Sequence, residues 1–369
     1  MVNIFGVEIK HESKHEKKQI VIEPLDAFLD AASHMALSKN SLSICSYIAK
    51  NENRLQVTNI KSFLFMDYNG NEENGVYEYN LSKVFNKLDG LNTNNQSLDK
   101  FPQVDIDLMT GEWVDINKTQ AELILQAFKF VSDNETRYFM NGIYFNEGNV
   151  VSTDGRRLFY SLGFDRFPTV ILPNTKCLEW LLKKGSNIKY KIDRMFSVFQ
   201  FEYKGVILYY CTCNIEGQFP NWRKVVPEKQ AYAIGIPDIV EWKNIHSKIM
   251  QLKSKDTYEW IMIKYDKDDM VFVEMDGRNM GMMQWKGFYN KDVIERKKAL
   301  WEQIEDTVEN PRKSFISSLD TLAINYKYLN DALILKELKK IEYTDFRRAI
   351  TFIYTDNSIN IVMPMQLED

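Results

Sequence analysis

Apolar and polar residues along this chain follow two periods, and the order in which the periods alternate repeats. In TQAELILQAFKFVSD (119–133), Leu123, Ile124, Ala127, Phe128 and Val131 fall on one helical face, with Glu122, Gln126 and Lys129 opposite. Short strand-like runs follow, RYFMNGIYF (137–145) and NVVSTDGRRLFYSL (149–162). The segment NTKCLEWLLKKG (174–185) reads as a second helix behind Pro173, with Asn174 or Thr175 placed to cap it. More strands come next in YKIDRMFSVFQFEYKGVILYYCTC (190–213). The unit is therefore helix, strands, helix, strands.

The same order recurs after Pro227. PDIVEWKNIHSKIMQLK (237–253) is an amphipathic helix opened by Pro237, and YEWIMIKYDKDDMVFVEMDGRNMGMMQW (258–285) reads as strands joined by an Asp-rich turn and an Asp-Gly turn. NYKYLNDALILKELKK (325–340) is the next helix, and RAITFIYTDNSINIVMPM (348–365) a closing hairpin. The first third repeats the order more faintly. PLDAFLDAASHMAL (24–37) is a helix, 42–68 a strand set, and NLSKVFNKLDG (80–90) a short helix. An internal repeat of this kind implies one structural unit used three times. The expected boundaries are an extension at 1–18, then units at 19–114, 115–229 and 230–369. The first unit is short, because the polar stretch LNTNNQSLDKFPQV (91–104) stands where the others have strands. The third carries a helical insertion near 288–313.

Composition narrows the class. A chain of 369 residues with 44% hydrophobic and 13% aromatic residues has ample material for more than one packed core. Its net charge of -4 excludes a protein that is basic over its whole surface, but leaves room for a local basic stripe. Cys45, Cys177, Cys211 and Cys213 include no C-x-x-C pair, so buried free thiols and a reducing cytoplasm are the expectation. The charged start, MVNIFGVEIKHESKHEKK, does not read as a signal peptide, and no apolar run approaches the roughly 18 residues of a membrane span.

Catalytic chemistry is hard to find. The only histidines are His11, His15, His34 and His246; His11 and His15 have i, i+4 spacing but sit in a hydrophilic extension. No phosphate-binding loop or nucleophile elbow is present. Asp105 and Asp107 in QVDIDLM would share one face of a strand, as paired metal ligands of a nuclease can, but an exposed edge strand accounts for them as well. The turn Thr153-Asp154-Gly155 followed by Arg156 and Arg157 reads first as a hairpin corner, since Gly155 accepts a positive φ.

Taken in order, TRYFMNGIYF, VVSTDGRRL, GQFPNWRKVVP, INYKYLNDAL and the near-terminal IVMPMQL resemble the bacterial DNA polymerase III beta sliding clamp. The resemblance implies an α+β fold of three repeated clamp domains, with helices on an inner face and antiparallel sheets outside. It implies a head-to-tail homodimer that closes as a ring around duplex DNA, without regard to sequence. It implies a non-enzymatic, cytoplasmic, nucleoid-associated processivity factor with no cofactor, no metal and no membrane partner. The DNA polymerase and the clamp loader would dock by short peptides. A clamp-like decoy that binds such peptides without encircling DNA is the alternative.

The residues that match the family's peptide pocket are Met140, Thr153, Gly155, Arg156, Arg157 and Leu158. To these the resemblance adds Pro220, Lys224 and Val225, then Asn325 and Tyr328, and then Ile361, Val362, Met363, Pro364, Met365, Gln366 and Leu367. The DNA-facing set would be Lys129, Tyr138, Lys176, Lys183, Lys184, Lys243, Lys248, Lys327 and Lys336. The chain departs from the pattern at Arg156, where histidine is frequent, at Lys224, where arginine is usual, and at Gln366, where a basic residue is usual. Glu368 and Asp369 extend past the usual last leucine.

Overall fold

The computed structural model describes residues 24–35, 47–78, 98–106, 109, 111–227, 232–252, 259–289, 291, 295, 299, 321–344, 346 and 348–365. Helices α1 (Pro24–Ala32), α2 (Lys118–Ala127), α3 (Lys176–Lys184), α4 (Ile239–Leu252) and α5 (Tyr326–Ile334) are set against antiparallel strands. The first unit contributes β1 (Tyr47–Asn51), β2 (Arg54–Thr58), β3 (Ser62–Asp67) and β4 (Gly75–Glu78). The second contributes β5 (Val114–Asp115), β6 (Gly142–Asn146), β7 (Gly148–Thr153), β8 (Arg157–Phe164), β9 (Val170–Pro173), β10 (Ser186–Ile192), β11 (Phe196–Tyr203) and β12 (Val206–Cys213). The third contributes β13 (Tyr232–Ile234), β14 (Trp260–Tyr265), β15 (Met270–Met275), β16 (Arg278–Gln284), β17 (Thr321–Asn325), β18 (Leu338–Tyr343), β19 (Ile350–Tyr354) and β20 (Ile359–Val362).

The pairing order exposes the repeat. One eight-stranded sheet runs β4-β1-β2-β3-β12-β11-β10-β5 and a second runs β9-β6-β7-β8-β20-β19-β18-β13, while a four-stranded sheet runs β17-β14-β15-β16. In each case three consecutive strands form a meander and a fourth flanks its first member. Strand β3 is joined to β12, and β8 to β20, so each large sheet crosses from one unit into the next. The seam strands are buried on both faces where they meet: Leu64, Phe65, Tyr210 and Cys211 in one, and in the second Phe159 and Val362 on one face and Leu158 and Ile361 on the other. Two large cores follow, one around Phe28, Phe130, Phe145 and Phe199 shared by the first two units, the other around Trp242, Trp285 and Tyr326 in the third.

Several local expectations change. Arg137–Met140, read as the start of a strand, lies in 3-10 turns over Glu135–Met140 in which Asn134 caps Thr136, and the strand begins only at Gly142. Asp238, not Pro237, caps α4 by accepting from Val240 N and Glu241 N. The helix expected over 325–340 stops at Ile334, and Leu338–Lys340 form the start of β18, because Leu338 and Ile341 are drawn into the third unit's core. Gln126, placed by periodicity on the polar face, is buried, since α2 packs against α3 as well as β7 and β8. Thr175 caps α3 through Leu178 N. Strands β4 and β17 lie outside the strand-like runs picked out from the sequence. Phe288 is buried in the third core rather than starting the insertion, of which Lys291, Glu295 and Ala299 are described and helical. Asp105 lies in irregular backbone, and Asp107, the extension at 1–18, the helix at 80–90, His11, His15 and Cys45 lie outside the described residues. Among the described residues no cluster of three metal-ligating side chains occurs, and no helix is long and apolar enough to cross a membrane.

Candidate partner-binding and DNA-facing surfaces

The corner between β7 and β8 is built by its own polar side chains. Asp154 Oδ1 accepts from Arg156 N and Arg157 N at 3.0 Å each, and Thr153 Oγ1 accepts from Gly155 N while donating to Arg157 O at 2.7 Å. Gly155 has φ +91°, a conformation that an L side chain resists. The turn reading of the sequence holds, but the arginine after it does more. Arg157 Nε donates to Asp154 Oδ2 at 2.9 Å, Nη1 to Asp331 Oδ2 at 2.5 Å and Nη2 to the carbonyl of Lys129 at 2.9 Å. Its guanidinium lies over the rings of Phe130 (4.8 Å) and Tyr328 (4.5 Å). Phe130 belongs to the second unit, while Tyr328 and Asp331 sit on α5 of the third. Arg157 therefore pins the seam between them. Burial, with the nearby Asp154 carboxylate, pushes the Tyr328 hydroxyl above its ordinary range.

The chain's last described residues run across this corner. Ile361 stands opposite Leu158, and Val362 opposite Arg157, in the β20–β8 pairing. Beyond the strand, Met363 N donates to Arg156 O (2.9 Å), and Met365 N reaches Ala323 O of β17 (2.8 Å). Leu158 and Ile361 join an apolar cluster with Val151, Ile171, Phe219 and Trp222 on the face of the sheet. Trp222 leans on Tyr160 with ring centroids 5.2 Å apart, and one turn later Val225 is exposed. Met363 is exposed as well, whereas Pro364 is buried. Leu158 and Ile361 are buried in this cluster, whereas Val225, Met363 and the cations Arg156 and Lys224 are exposed.

The candidate pocket residues thus divide. Leu158 and Ile361 belong to the apolar cluster, Val225 and Met363 are exposed, and Pro220 and Met365 are half-buried. Thr153, Arg157 and Asn325 spend their polar atoms internally: Asn325 Oδ1 caps α5 by accepting from Lys327 N and Tyr328 N. Met140 and Val362 are buried, the latter in the third unit's core. Gln366 and Leu367 lie outside the described residues. Sequence reasoning passed over Phe130, Asp331, Phe219 and Trp222. The aromatic pair in QFPNW was a signal for the last two; nothing local marked Asp331, 174 positions from its partner.

The candidate DNA-facing residues also divide. Lys129, Lys176, Lys184, Lys243 and Lys248 are exposed and form no ion pair among the described residues, and Tyr138 is exposed. Lys183 pairs with Glu179 (2.9 Å), Lys336 with Asp356 (2.5 Å) and Lys327 with Glu259. The Glu259 carboxylate raises the affinity of Lys327 for its proton. These three carry less unbalanced charge than their count suggests.

No family model matches the chain. The beta sliding clamp of Treponema pallidum (strain Nichols) is 27% identical over 257 residues, a match covering 64% of this chain and 61% of that protein. The match thus spans less than two thirds of the relative's length. Among solved structures, the DNA polymerase III subunit beta of Pseudomonas aeruginosa superposes with a TM-score of 0.65 at 14% identity, covering 93% of this chain and 98% of that one. The sliding clamp of Bartonella birtlesii, solved with griselimycin bound, gives 0.67 at 15% identity over 94% and 99%. The clamp of Bacillus subtilis gives 0.65 at 13% over 93% and 97%. The chain has the sliding-clamp fold.

Proposed function

We propose that this chain is a DNA sliding clamp, a non-enzymatic processivity factor that encircles duplex DNA and tethers the replicative polymerase, its loader and other DNA-processing proteins by short peptides. The observation that carries the reading is the way one unit is used repeatedly with the sheets running on from unit to unit. Such a chain is an arc in which every seam is a strand pairing. Two copies placed head to tail make a closed path. The units are those at 19–114, 115–229 and 230–369.

Function then follows from topology rather than affinity. A protein that must move along DNA cannot hold bases or phosphates tightly, because each tight contact is a barrier to translation. A ring needs only a mildly basic inner wall. Lys129, Lys176, Lys184, Lys243 and Lys248, on or beside the helices and free of ion pairs among the described residues, suit that wall. Attraction of this kind is long-ranged and weakened by salt.

The corner at Thr153–Leu158, with Val225 and the Met363–Met365 segment, suits the peptide site. Apolar slots take bulky anchors, polar groups at the rim set direction, and exposed methionine adapts to more than one partner. Arg157 acts from beneath, holding the two walls of the site at a fixed separation.

Retention on DNA tests the reading. The chain, loaded on a nicked circle, is expected to stay bound through gel filtration in high salt and to leave when the circle is linearised. Loss at the same rate from circle and line would reject encirclement and favour a decoy that binds replication peptides off DNA.

A further inference from the structure

Strand β16 is the one meander edge that pairs with no neighbouring unit among the described residues, and the repeat shows what kind of partner it lacks. Its counterparts β3 and β8 are each met by the last strand of the following unit's second sheet, β12 and β20. By the same rule β16 requires the last strand of a first unit. That strand cannot be supplied in the usual way. In the second unit, 34 residues (185–218) separate the end of α3 from Phe219-Pro220 and hold β10, β11 and β12, of seven, eight and eight residues. In the first unit, ten residues (91–100) separate the helix expected at 80–90 from the matching Phe101-Pro102. Three strands do not fit in ten residues.

Composition and packing agree with the count. Counting back from each Phe-Pro pair, β12 (VILYYCTC) corresponds to LDGLNTNN at 88–95, which has no alternating apolar face. The residues that follow lie on the outer face of the first sheet instead. Phe101 packs with Ala49 and Val76, Ile106 and Met109 pack with Phe63, Phe65 and Val198, and Gln56 Nε2 donates to Pro102 O. They are engaged elsewhere.

The edge itself is suited to strand addition. Met282 on β16 is exposed, and Ile236 and Val240 stand exposed beside it, where α4 packs along the strand. Gln284 is closed off, its N–H donating to Glu241 Oε2 and its carbonyl accepting from Asp238 N. Gly281 N donates to Asn279 Oδ1 beside a bulge in the β15 pairing, so the backbone on offer lies around Met282. An edge strand left without a neighbouring unit and flanked by an apolar margin can take another strand along its open stretch.

We infer that residues 2–9 of a second copy, VNIFGVEI, add to β16 as the missing strand. Of the strand-like runs outside the described residues near a first unit, QIVIE (19–23) directly precedes α1, as β5 and β13 precede α2 and α4, and SLSIC (41–45) directly precedes β1. VNIFGVEI has no such counterpart in the repeat, and residues 10–23, which link it to α1, span up to about 46 Å when extended. Val2, Ile4, Phe5, Val7 and Ile9 provide the apolar surface that 88–95 lacks. The identity of the partner as a second copy rests on the ring reading above; the need for a substitute strand rests on the count alone.

Sedimentation velocity of the full chain and of a chain lacking residues 2–9 tests this at micromolar concentration. The full chain is expected to be a dimer, and the deletion to weaken it at least about tenfold, or about 1.4 kcal/mol. An Ile4→Cys, Met282→Cys double variant is expected to give a disulfide-linked dimer under oxidation, which neither single variant gives. A monomeric full chain, a deletion as dimeric as its parent, or a crosslink confined to one chain would overturn the inference. Clamp-motif peptide binding, measured on the same samples, separates the two readings. Its loss in an intact dimer rejects the function and leaves this inference standing, while its retention in a deletion that is still dimeric does the reverse.

Discussion

Replacing Arg157 by alanine removes five interactions at one point, and their sum can be weighed. Three are charge-assisted hydrogen bonds, to Asp154, Asp331 and the Lys129 carbonyl; two are cation–π contacts, with Phe130 and Tyr328. The Arg157 side chain is 11% exposed and Asp154 15%, so their pair is largely removed from water; Asp331, at 36%, is not. Breaking a buried pair from one side costs about 3–5 kcal/mol, because the remaining charge is left unpaired. Each ring contact adds about 0.5–1 kcal/mol. The half-exposed Asp331 bond adds at most about 1 kcal/mol. These losses overlap, since water enters the space and Asp154 still accepts two backbone N–H groups. A net loss of about 3 kcal/mol is therefore expected.

The assay is urea unfolding followed by tryptophan fluorescence, on Arg157→Ala, Asp331→Asn and the double variant. Asp331→Asn alone is expected to cost about 1 kcal/mol, and the pair to be non-additive by a similar amount. Arg157→Lys is expected to recover less than half of the loss, because an ammonium can neither fork between two carboxylates nor lie flat between two rings. A loss for Arg157→Ala below about 1 kcal/mol, or strict additivity with Asp331→Asn, would refute the seam role and return Arg157 to the peptide surface.

Three further outcomes follow from the same geometry. Val225→Asp with Met363→Asp is expected to weaken a clamp-motif peptide by about tenfold or more in fluorescence anisotropy while leaving thermal stability nearly unchanged, since both side chains are exposed; unaltered affinity would move the site elsewhere. Lys243→Glu with Lys248→Glu is expected to shorten retention on circular DNA and flatten its salt dependence without altering peptide affinity; indifference of retention to both charges would take α4 off the DNA-facing wall. Asp30 is held below the usual carboxylate range, chiefly by its hydrogen bond from Lys204, so the stability it contributes is present above its unfolded pKa and is lost as pH falls through the lower folded value. Melting of the parent and of Asp30→Asn is expected to differ at neutral pH and to converge in acid below the ordinary Asp range; a constant gap would show that the pair does not titrate with folding.

Periodicity along the chain was enough to place α2, α3 and the closing hairpin, because those segments answer to local rules: an apolar stripe every 3.6 residues, a capping threonine, an alternation of two. It was enough, too, for the repeat itself and the Thr153–Arg157 corner, each of which is a matter of order. Other features depended on residues far apart. Segment 335–340 has helical composition, yet Leu338 and Ile341 are buried only if the backbone extends as β18, and burial outweighs propensity. Arg157 matched a pocket residue in sequence, but the two rings and the second carboxylate that hold it at the seam come together only when β20 pairs with β8. Lys183, Lys327 and Lys336 read as free cations until their acidic partners were in place, two of them 20 and 68 positions away. The sequence determines the order of the repeat and the elements that obey local rules; only tertiary pairing decides where strands such as β4, β17 and β18 form, which edge remains open and which arginine is already engaged, because these depend on contacts that no local window contains.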